Sequence, residues 1–132
     1  EAYLQVAAEL GPKNLVIGGK SMGGRIASMV ADEAGVAGLI CLGYPFHPPG
    51  KPEKLRTKHL GLLETPTLIL QGERDPFGKK EEVTSYRLSP SIQVVFLPDG
   101  NHDLRPRKAS GRTHEDNRNA AIAAAHAFVE DL

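Results

Sequence analysis

Four short apolar runs alternate with longer amphipathic stretches along the 132-residue chain. The runs occupy residues 15–17, 38–42, 67–70 and 92–97. The first three are apolar almost throughout, which is typical of strands covered on both faces. The last is interrupted by Gln93, which favours a strand nearer an edge. The pattern therefore predicts a sheet of about four strands.

Apolar residues at helical spacing predict a helix between successive runs and at each end of the chain. The predicted helices cover residues 1–10, 22–34, 54–63, 79–88 and 116–132. Gly35 directly follows the second one, at a position where helices commonly end in a left-handed turn. Alternating helices and strands favour a parallel sheet wrapped by helices, and no linker or repeat divides the chain. We therefore expect residues 1–132 to form a single α/β domain.

A candidate nucleophile lies where the first predicted strand passes into the second helix. Residues 19–23 read Gly-Lys-Ser-Met-Gly, a G-x-S-x-G sequence. At a strand-to-helix turn this sequence strains the serine backbone and projects the hydroxyl above the sheet. We expect glycine at Gly19 and Gly23 because side chains there would collide with the strand and the helix. Ser21 is then the nucleophile, and the backbone N–H of Met22, at the positive helix end, is an oxyanion-hole donor.

Two nucleotide-binding alternatives do not fit the same turn. A phosphate-binding G-x-x-x-x-G-K-S loop requires glycine at position 14, where the chain has Asn14. A dinucleotide-binding fingerprint that begins at Gly18 requires glycine where Lys20 stands. Since G-x-S-x-G also arises by chance, its interpretation depends on whether an acid and a base follow it in the chain.

An acid and a base follow the third and fourth predicted strands. Asp75 comes after the run at 67–70, and His102 comes after the run at 92–97. The C-terminal ends of parallel strands share one edge of a sheet, so both residues are expected on the rim that carries Ser21. His102 is the predicted general base and Asp75 the acid that orients its imidazole. Asp75 alone would be interpreted as a helix cap or a turn residue. Three nearby carboxylates remain alternative acids: Glu73, Asp99 and Asp103.

Four blocks spread over nearly the whole chain carry a family resemblance. They are residues 18–25 (Gly-Gly-Lys-Ser-Met-Gly-Gly-Arg), 43–50 (Gly-Tyr-Pro-Phe-His-Pro-Pro-Gly), 71–76 (Gln-Gly-Glu-Arg-Asp-Pro) and 100–102 (Gly-Asn-His). Together they resemble the dienelactone-hydrolase-like branch of the α/β-hydrolase family. In particular, they are similar to a bacterial group of predicted hydrolases related to a testis-expressed protein and a nonspecific-lethal complex subunit. The resemblance implies the same triad of Ser21, Asp75 and His102, but it implies no substrate.

The resemblance also implies that part of the fold is absent. An α/β-hydrolase sheet has about eight strands, and the nucleophile follows the fifth. Here the chain begins with Glu1 rather than methionine, and only twenty residues precede Ser21. We therefore expect the C-terminal part of an α/β-hydrolase fold, without its N-terminal strands and without the second oxyanion-hole donor. The strand from Leu15 to Gly18 would then be an exposed apolar edge, covered by a missing N-terminal segment or by a second copy in a homo-oligomer. The chain alone is expected to be poorly active.

Composition narrows the classes of partner and cofactor. The chain is 40% apolar and 24% charged, which is ordinary for a soluble globular protein. Sixteen basic and sixteen acidic residues balance, so no general attraction to nucleic acid or to a membrane is expected. The single cysteine, Cys41, excludes an intrachain disulfide, and no long apolar run or leader pattern is present, so a cytoplasmic location is expected. No spacing suggests a metal site, and no organic cofactor is expected. His47 and His59 are interpreted as loop and helix-surface residues.

These observations predict a serine hydrolase that acts on a carboxylic ester or related small acyl substrate through an acyl-enzyme. One alternative is a non-catalytic module that binds a partner protein. Another is a peptidase or thioesterase, because fold and triad do not select the leaving group. Basic residues of two loops are interpreted as solvated charges, with steering of an anionic substrate as the alternative: Lys51, Lys54, Arg56, Lys58, Arg105, Arg107, Lys108 and Arg112.

Overall fold

The computed structural model describes residues 2–132, in which four parallel strands form one sheet. The strands are β1 (Val16–Lys20), β2 (Gly38–Leu42), β3 (Thr67–Gly72) and β4 (Ile92–Leu97). The α-helices within the same residues are α1 (Ala2–Leu10), α2 (Met22–Ala34), α3 (Lys80–Val83) and α4 (His114–Glu130). Single 3₁₀ turns lie at Pro12–Asn14, Lys58–Gly61 and Lys108–Ser110. The predicted parallel sheet flanked by helices is confirmed, and Glu1 lies outside the described residues. No helix of residues 2–132 combines the length and apolar character needed to cross a bilayer.

The strands lie side by side in chain order, β1-β2-β3-β4. Thr67 in β3 is level with Leu39 of β2 and with Ile92 of β4, so the strands begin together and also end together. Every position of β3 is buried, as predicted for the run at 67–70. β4 is an edge strand within the described sheet and carries the exposed Gln93, also as predicted. Because all strands point the same way, the loops after them meet along one rim.

Apolar layers cover both faces of the sheet. Leu39, Cys41 and Ile69 pack with α1 and α2 on one face. Leu68 and Leu70 point to the other face and pack with α4. All five are at most 1% exposed, because successive residues of a buried strand alternate between the two layers. The result is a helix–sheet–helix arrangement whose rigid core supports the loops of the rim.

The helix predicted over residues 54–63 is wrong. Only Lys58–Gly61 form a single 3₁₀ turn there. The backbone N–H of Arg56 donates to the carbonyl of Phe46 at 2.8 Å instead of to a residue one helical turn back. Only Leu60 and Leu63 are buried in this stretch, so too few apolar side chains pack into the core to stabilise a longer helix.

Two further helix boundaries differ from the prediction. The helix expected over residues 79–88 shortens to α3 (Lys80–Val83). Thr84 Oγ1 and Ser85 Oγ donate to backbone carbonyls one turn back, and such bonds compete with continued helix formation. Conversely, α4 begins earlier than residue 116, because Thr113 and Asp116 form a reciprocal capping box at its start.

Candidate active site

Ser21 occupies the sharp turn between β1 and α2. Its backbone has φ 53° and ψ −120°, a strained conformation for a residue with a side chain. The Ser21 N–H donates to the carbonyl of Leu42 at 2.7 Å, and the Ser21 carbonyl accepts from the N–H of Arg25 at 3.1 Å. These bonds tie the turn to the end of β2 and to the first turn of α2, and they hold the serine in place.

The glycines around Ser21 have different steric roles. A Cβ on Gly19 would lie 2.5 Å from the carbonyl carbon of Gly23, so position 19 must be glycine, as expected. A Cβ on Gly23 would meet nothing within 4 Å, and the expected steric need at that position is wrong. The close approach involves the backbone of Gly23 rather than its side-chain position. The second constrained position is Gly24, where a Cβ would lie 2.7 Å from the carbonyl oxygen of Gly19.

The side chains of Ser21, His102 and Asp75 form one hydrogen-bonded chain. His102 Nε2 lies 2.9 Å from Ser21 Oγ, and His102 Nδ1 lies 2.8 Å from Asp75 Oδ2. Each residue follows the end of a different strand, and the three reach one another because those ends share a rim. The structure therefore brings together the hydroxyl, imidazole and carboxylate that the sequence singled out.

Asp75 is fully buried beneath the imidazole. Its second oxygen, Oδ1, accepts a hydrogen bond from the backbone N–H of Phe77 at 2.9 Å. Burial raises the pKa of Asp75, and the hydrogen bonds from His102 and Phe77 offset part of that rise. With Oδ2 facing Nδ1, the carboxylate accepts the Nδ1 proton and directs the lone pair of Nε2 towards Ser21.

The three alternative acids have other partners. Glu73 accepts from the backbone N–H of Asp99 at 2.9 Å. Asp99 binds the guanidinium of Arg107 at 2.6 Å, which holds the pKa of the Asp99 carboxyl at about 2. Asp103 pairs with Lys20 at 2.5 Å, where both side chains are more than half exposed. Of these carboxylates, Asp75 is the one bonded to the His102 ring.

The loop that carries His102 is anchored by a buried asparagine of α4. Asn117 is fully buried, and its Nδ2 donates to the carbonyls of Pro98 at 3.0 Å and Leu104 at 2.8 Å. Arg112 Nε donates to its Oδ1. Because Pro98 and Leu104 flank His102 in the chain, these bonds fix both ends of the segment that presents the imidazole.

Sequence reasoning missed two residues that lie beside His102. The Phe77 ring lies 4.4 Å from the imidazole, centroid to centroid, at an interplanar angle of 34°. Gly43 has φ +63°, and a Cβ there would lie 2.9 Å from the His102 carbonyl oxygen and 3.2 Å from Nδ1. The one sequence signal for Gly43 was its place in the block at residues 43–50 that carries the family resemblance. No sequence signal distinguished Phe77 from an ordinary turn residue.

A third missed residue links the two loops behind Asp75 and His102. Gln71, at the end of β3, is fully buried. Its Oε1 accepts from the N–H of Tyr44 at 2.8 Å, and its Nε2 donates to the carbonyls of Tyr44 and Gly78. A polar side chain closing an otherwise apolar strand was the signal that could have identified it.

The remaining site predictions concern an oxyanion-hole donor and a metal. Met22 is the first residue of α2 and directly follows Ser21, so its backbone N–H belongs to the free amino end of the helix. Residues 2–132 contain no group of three or more His, Cys, Asp or Glu side chains placed to bind a metal ion.

A second serine–histidine pair lies deeper, on the α2 side of the sheet. Ser28 Oγ is 2.8 Å from His59 Nε2 and 3.3 Å from the hydroxyl of Tyr44. Ser28 Oγ donates to the carbonyl of Arg25 at 2.6 Å. Burial, and then the charge of Arg25, lower the pKa of His59. Ser28 is 3% exposed and its hydroxyl proton is already engaged, so the pair holds the loop after β2 onto α2.

Comparison with known proteins gives consistent findings. A family model described as an alpha/beta hydrolase domain matches residues 1–130. The fold is similar to an alpha-beta serine hydrolase homologue from Coxiella burnetii, with a TM-score of 0.64 and 22% identity over 99% of this chain and 55% of that one. It is also similar to the esterase domain of a Rhodothermus marinus protein, with a TM-score of 0.64 and 17% identity over 96% of this chain and 65% of that one. The chain thus spans less than two thirds of each of these structures.

Proposed function

The chain belongs to the alpha/beta hydrolase family, and from that premise we propose that the protein is a serine hydrolase acting on a carboxylic ester or related acyl compound. Its four-stranded parallel sheet and flanking helices are part of an α/β-hydrolase fold. The observation that carries the proposal is the unbroken contact from Asp75 through His102 to Ser21, at 2.8 and 2.9 Å.

The proposed acylation step follows from these contacts. His102 Nε2 takes the proton of the Ser21 hydroxyl as Oγ forms a bond to the acyl carbon. Asp75, bonded to Nδ1, stabilises the imidazolium that results. The carbonyl electron pair moves onto oxygen, where the Met22 N–H and the amino end of α2 favour negative charge. When the carbonyl reforms, the bond to the leaving group breaks, and the leaving group takes the proton from His102.

Deacylation repeats the sequence with water. His102 removes a proton from a water molecule as its oxygen bonds to the acyl carbon of the Ser21 ester. The collapse of this second tetrahedral species returns the proton to Ser21 Oγ and releases the carboxylic acid. No metal or organic cofactor takes part in either proposed step.

Ser21 is favoured over Ser28 as nucleophile for two reasons. Ser28 Oγ already donates to the carbonyl of Arg25, whereas Ser21 Oγ faces an imidazole that is oriented by a carboxylate. The backbone of Ser21 is also strained, and strain of this kind concentrates at reacting residues. Ser28 therefore provides a matched control, since it is also a serine within 2.8 Å of a histidine.

The test is hydrolysis of a panel of acyl esters by the full-length protein and by two single variants. Ser21→Ala is expected to reduce ester turnover by roughly 10⁴-fold or more, because the acyl-enzyme can no longer form. Ser28→Ala is expected to keep turnover within about threefold of the unmodified protein. Equal losses in both variants, or equal activity of Ser21→Ala and the unmodified protein, would contradict the proposal.

The same panel separates the rival functions. If thioesters or peptides are cleaved faster than oxygen esters, the protein is a thioesterase or peptidase that uses the same triad. If no acyl compound is turned over, the non-catalytic module that binds a partner protein becomes the better account.

Three narrower proposals accompany this one. We propose membership of the dienelactone-hydrolase-like branch from the sequence blocks described above, and a cytoplasmic location from the single cysteine. We also propose that another strand pairs with the outer edge of β1, either from further residues of the protein or from a second copy. Size measurement of the purified full-length protein by light scattering distinguishes these two sources.

A further inference from the structure

His47 lies in the loop after β2 and is 2% exposed, a degree of burial that the sequence did not predict. Its Nδ1 is 2.8 Å from the carbonyl oxygen of Pro48, and its Nε2 is 3.0 Å from Glu82 Oε1. Both facing atoms are acceptors. A neutral imidazole carries one N–H and can satisfy only one of them, whereas an imidazolium donates to both. The contacts therefore select the protonated ring.

The charges around His47 also favour the protonated ring. Burial lowers the pKa of His47, but the bonds to Pro48 and Glu82, together with the nearby charges of Glu82 and Glu53, outweigh it and raise the pKa overall. For Glu82, burial opposes the charge, while the Lys79 N–H and then His47 favour it, so its pKa falls. His47 and Glu82 are therefore held together as an ion pair.

Two more titratable groups, Lys79 and Tyr86, lie near this pair, and neither takes the place of His47 or Glu82 in it. Lys79 contacts Glu82 through its backbone N–H, and its positive charge favours the carboxylate form of Glu82. Burial and then the charge of Glu82 raise the pKa of Tyr86, which keeps that phenol neutral. The pair thus joins the loop after β2 to the start of α3, which follows the loop that carries Asp75.

Hydrogen bonds lead from His47 to the proposed triad. The backbone N–H of His47 donates to the carbonyl of Phe77 at 3.1 Å. The N–H of Phe77 donates to Asp75 Oδ1, and its ring packs against His102. Phe77 is therefore held through its carbonyl by the loop of His47, while its N–H and its ring contact the proposed acid and base.

We propose that the His47 imidazolium is a positioning residue for the proposed hydrolysis: by bridging Pro48 and Glu82 it sets Phe77 against His102. This inference rests on the proposed function. When His47 loses its proton, either the Pro48 carbonyl or the Glu82 carboxylate loses its hydrogen bond from the nearly buried ring, and the loop shifts to recover one. Phe77 then moves relative to the imidazole, so turnover falls as the pH rises through the pKa of His47.

The first experiment needs no turnover. In the full-length protein, NMR of ¹⁵N- and ¹³C-labelled histidine reports the protonation of each ring, and the ring current of Phe77 shifts the Cε1–H resonance of His102. The His47 ring is expected to be doubly protonated at neutral pH. As it titrates, the His102 resonance is expected to move at the same midpoint, and this second movement should disappear in His47→Gln.

The second experiment is the pH profile of ester turnover. Glu82→Gln removes the charge that stabilises the imidazolium, so the alkaline limb should move to lower pH by about one unit while the acid limb stays in place. His47→Gln should remove this limb and lower kcat by about 10-fold or more, with a smaller change in KM. His126→Gln is the matched control, because His126 also pairs with a glutamate, Glu130, but on an exposed helix face.

The two experiments distinguish failure of the proposed hydrolysis from failure of the positioning role of His47. If the protein hydrolyses no ester, the proposed function fails, and the movement of the His102 resonance still decides the role of His47. A neutral His47 ring at neutral pH, or a His102 resonance that ignores the titration of His47, would overturn the inference. The inference would also be overturned if the alkaline limb of the pH profile lay at the same pH in His47→Gln and Glu82→Gln as in His126→Gln.

Discussion

Gly43 leaves room for the His102 ring because it has no side chain: a Cβ at position 43 would lie 3.2 Å from both Cε1 and Nδ1 of the imidazole. Gly43 also has φ +63°, a conformation that L side chains rarely adopt. The end of β2 thus forms one wall of the pocket that holds the proposed base. The same strand end accepts a hydrogen bond from Ser21 through the carbonyl of Leu42, so one turn positions two members of the proposed triad.

Gly43→Ala is expected to damage activity and stability together. The left-handed backbone alone costs about 1–2 kcal/mol for a residue with a Cβ, and contact with the ring adds to that cost. Displacement of His102 should lower kcat by about 100-fold. The measurements are urea unfolding and ester turnover.

Gly35→Ala is the control for this change. Gly35 also has positive φ, at 69°, but a Cβ there meets nothing within 4 Å. Gly35→Ala should therefore lose about 1–2 kcal/mol of unfolding free energy and keep the turnover of the unmodified protein. If Gly43→Ala retains the turnover of Gly35→Ala, the wall does not position His102.

Asn117→Ala is expected to release the loop that presents His102. The change leaves the carbonyls of Pro98 and Leu104 without their donor, which should lower the unfolding free energy by about 1–3 kcal/mol. Turnover should fall as well, because both ends of the loop lose their anchor. Asn119→Ala is the control, since Asn119 is exposed on the same helix and should change neither quantity. Equal effects at the two positions would show that the anchor is unimportant.

Asp75→Asn is expected to separate stability from function. Burial raises the pKa of Asp75, so the ionised carboxylate costs stability above its folded pKa, and this cost vanishes as pH falls below the unfolded value. The variant should therefore be at least as stable as the unmodified protein at pH 7, with an advantage that shrinks at acid pH. Its turnover should fall by about 10⁴-fold, because an amide no longer fixes the tautomer of His102.

Urea unfolding at several pH values checks the first part of this prediction. The contrary result is an unfolding free energy that is lower in Asp75→Asn than in the unmodified protein by the same amount from neutral to acid pH. It would show that the hydrogen bond to His102 outweighs the cost of burial. The full-length protein and Asp99→Asn serve as references, because Asp99 is a neighbouring carboxylate that does not contact the His102 ring.

The sequence allowed prediction of the sheet and of the Ser21–His102–Asp75 contact for one physical reason. Buried parallel strands leave long apolar runs, and the residues that follow such runs must share a rim. Local patterns gave wrong predictions where a backbone group bonds to a residue distant in the chain. Arg56 is an example, because its N–H donates to the carbonyl of Phe46 rather than within a helix. The setting of His47 was unpredictable for the same reason, because its ring pairs with Glu82, which lies 35 residues away in the chain.

Whether Ser21 is the nucleophile is decided by the location of a covalent adduct. The full-length protein is treated with a fluorophosphonate, digested, and analysed by tandem mass spectrometry. We expect a single phosphonylated residue, Ser21, whose labelling is lost when His102 is replaced by alanine. An adduct on Ser28 or another serine, or an intact protein that does not react, would contradict it.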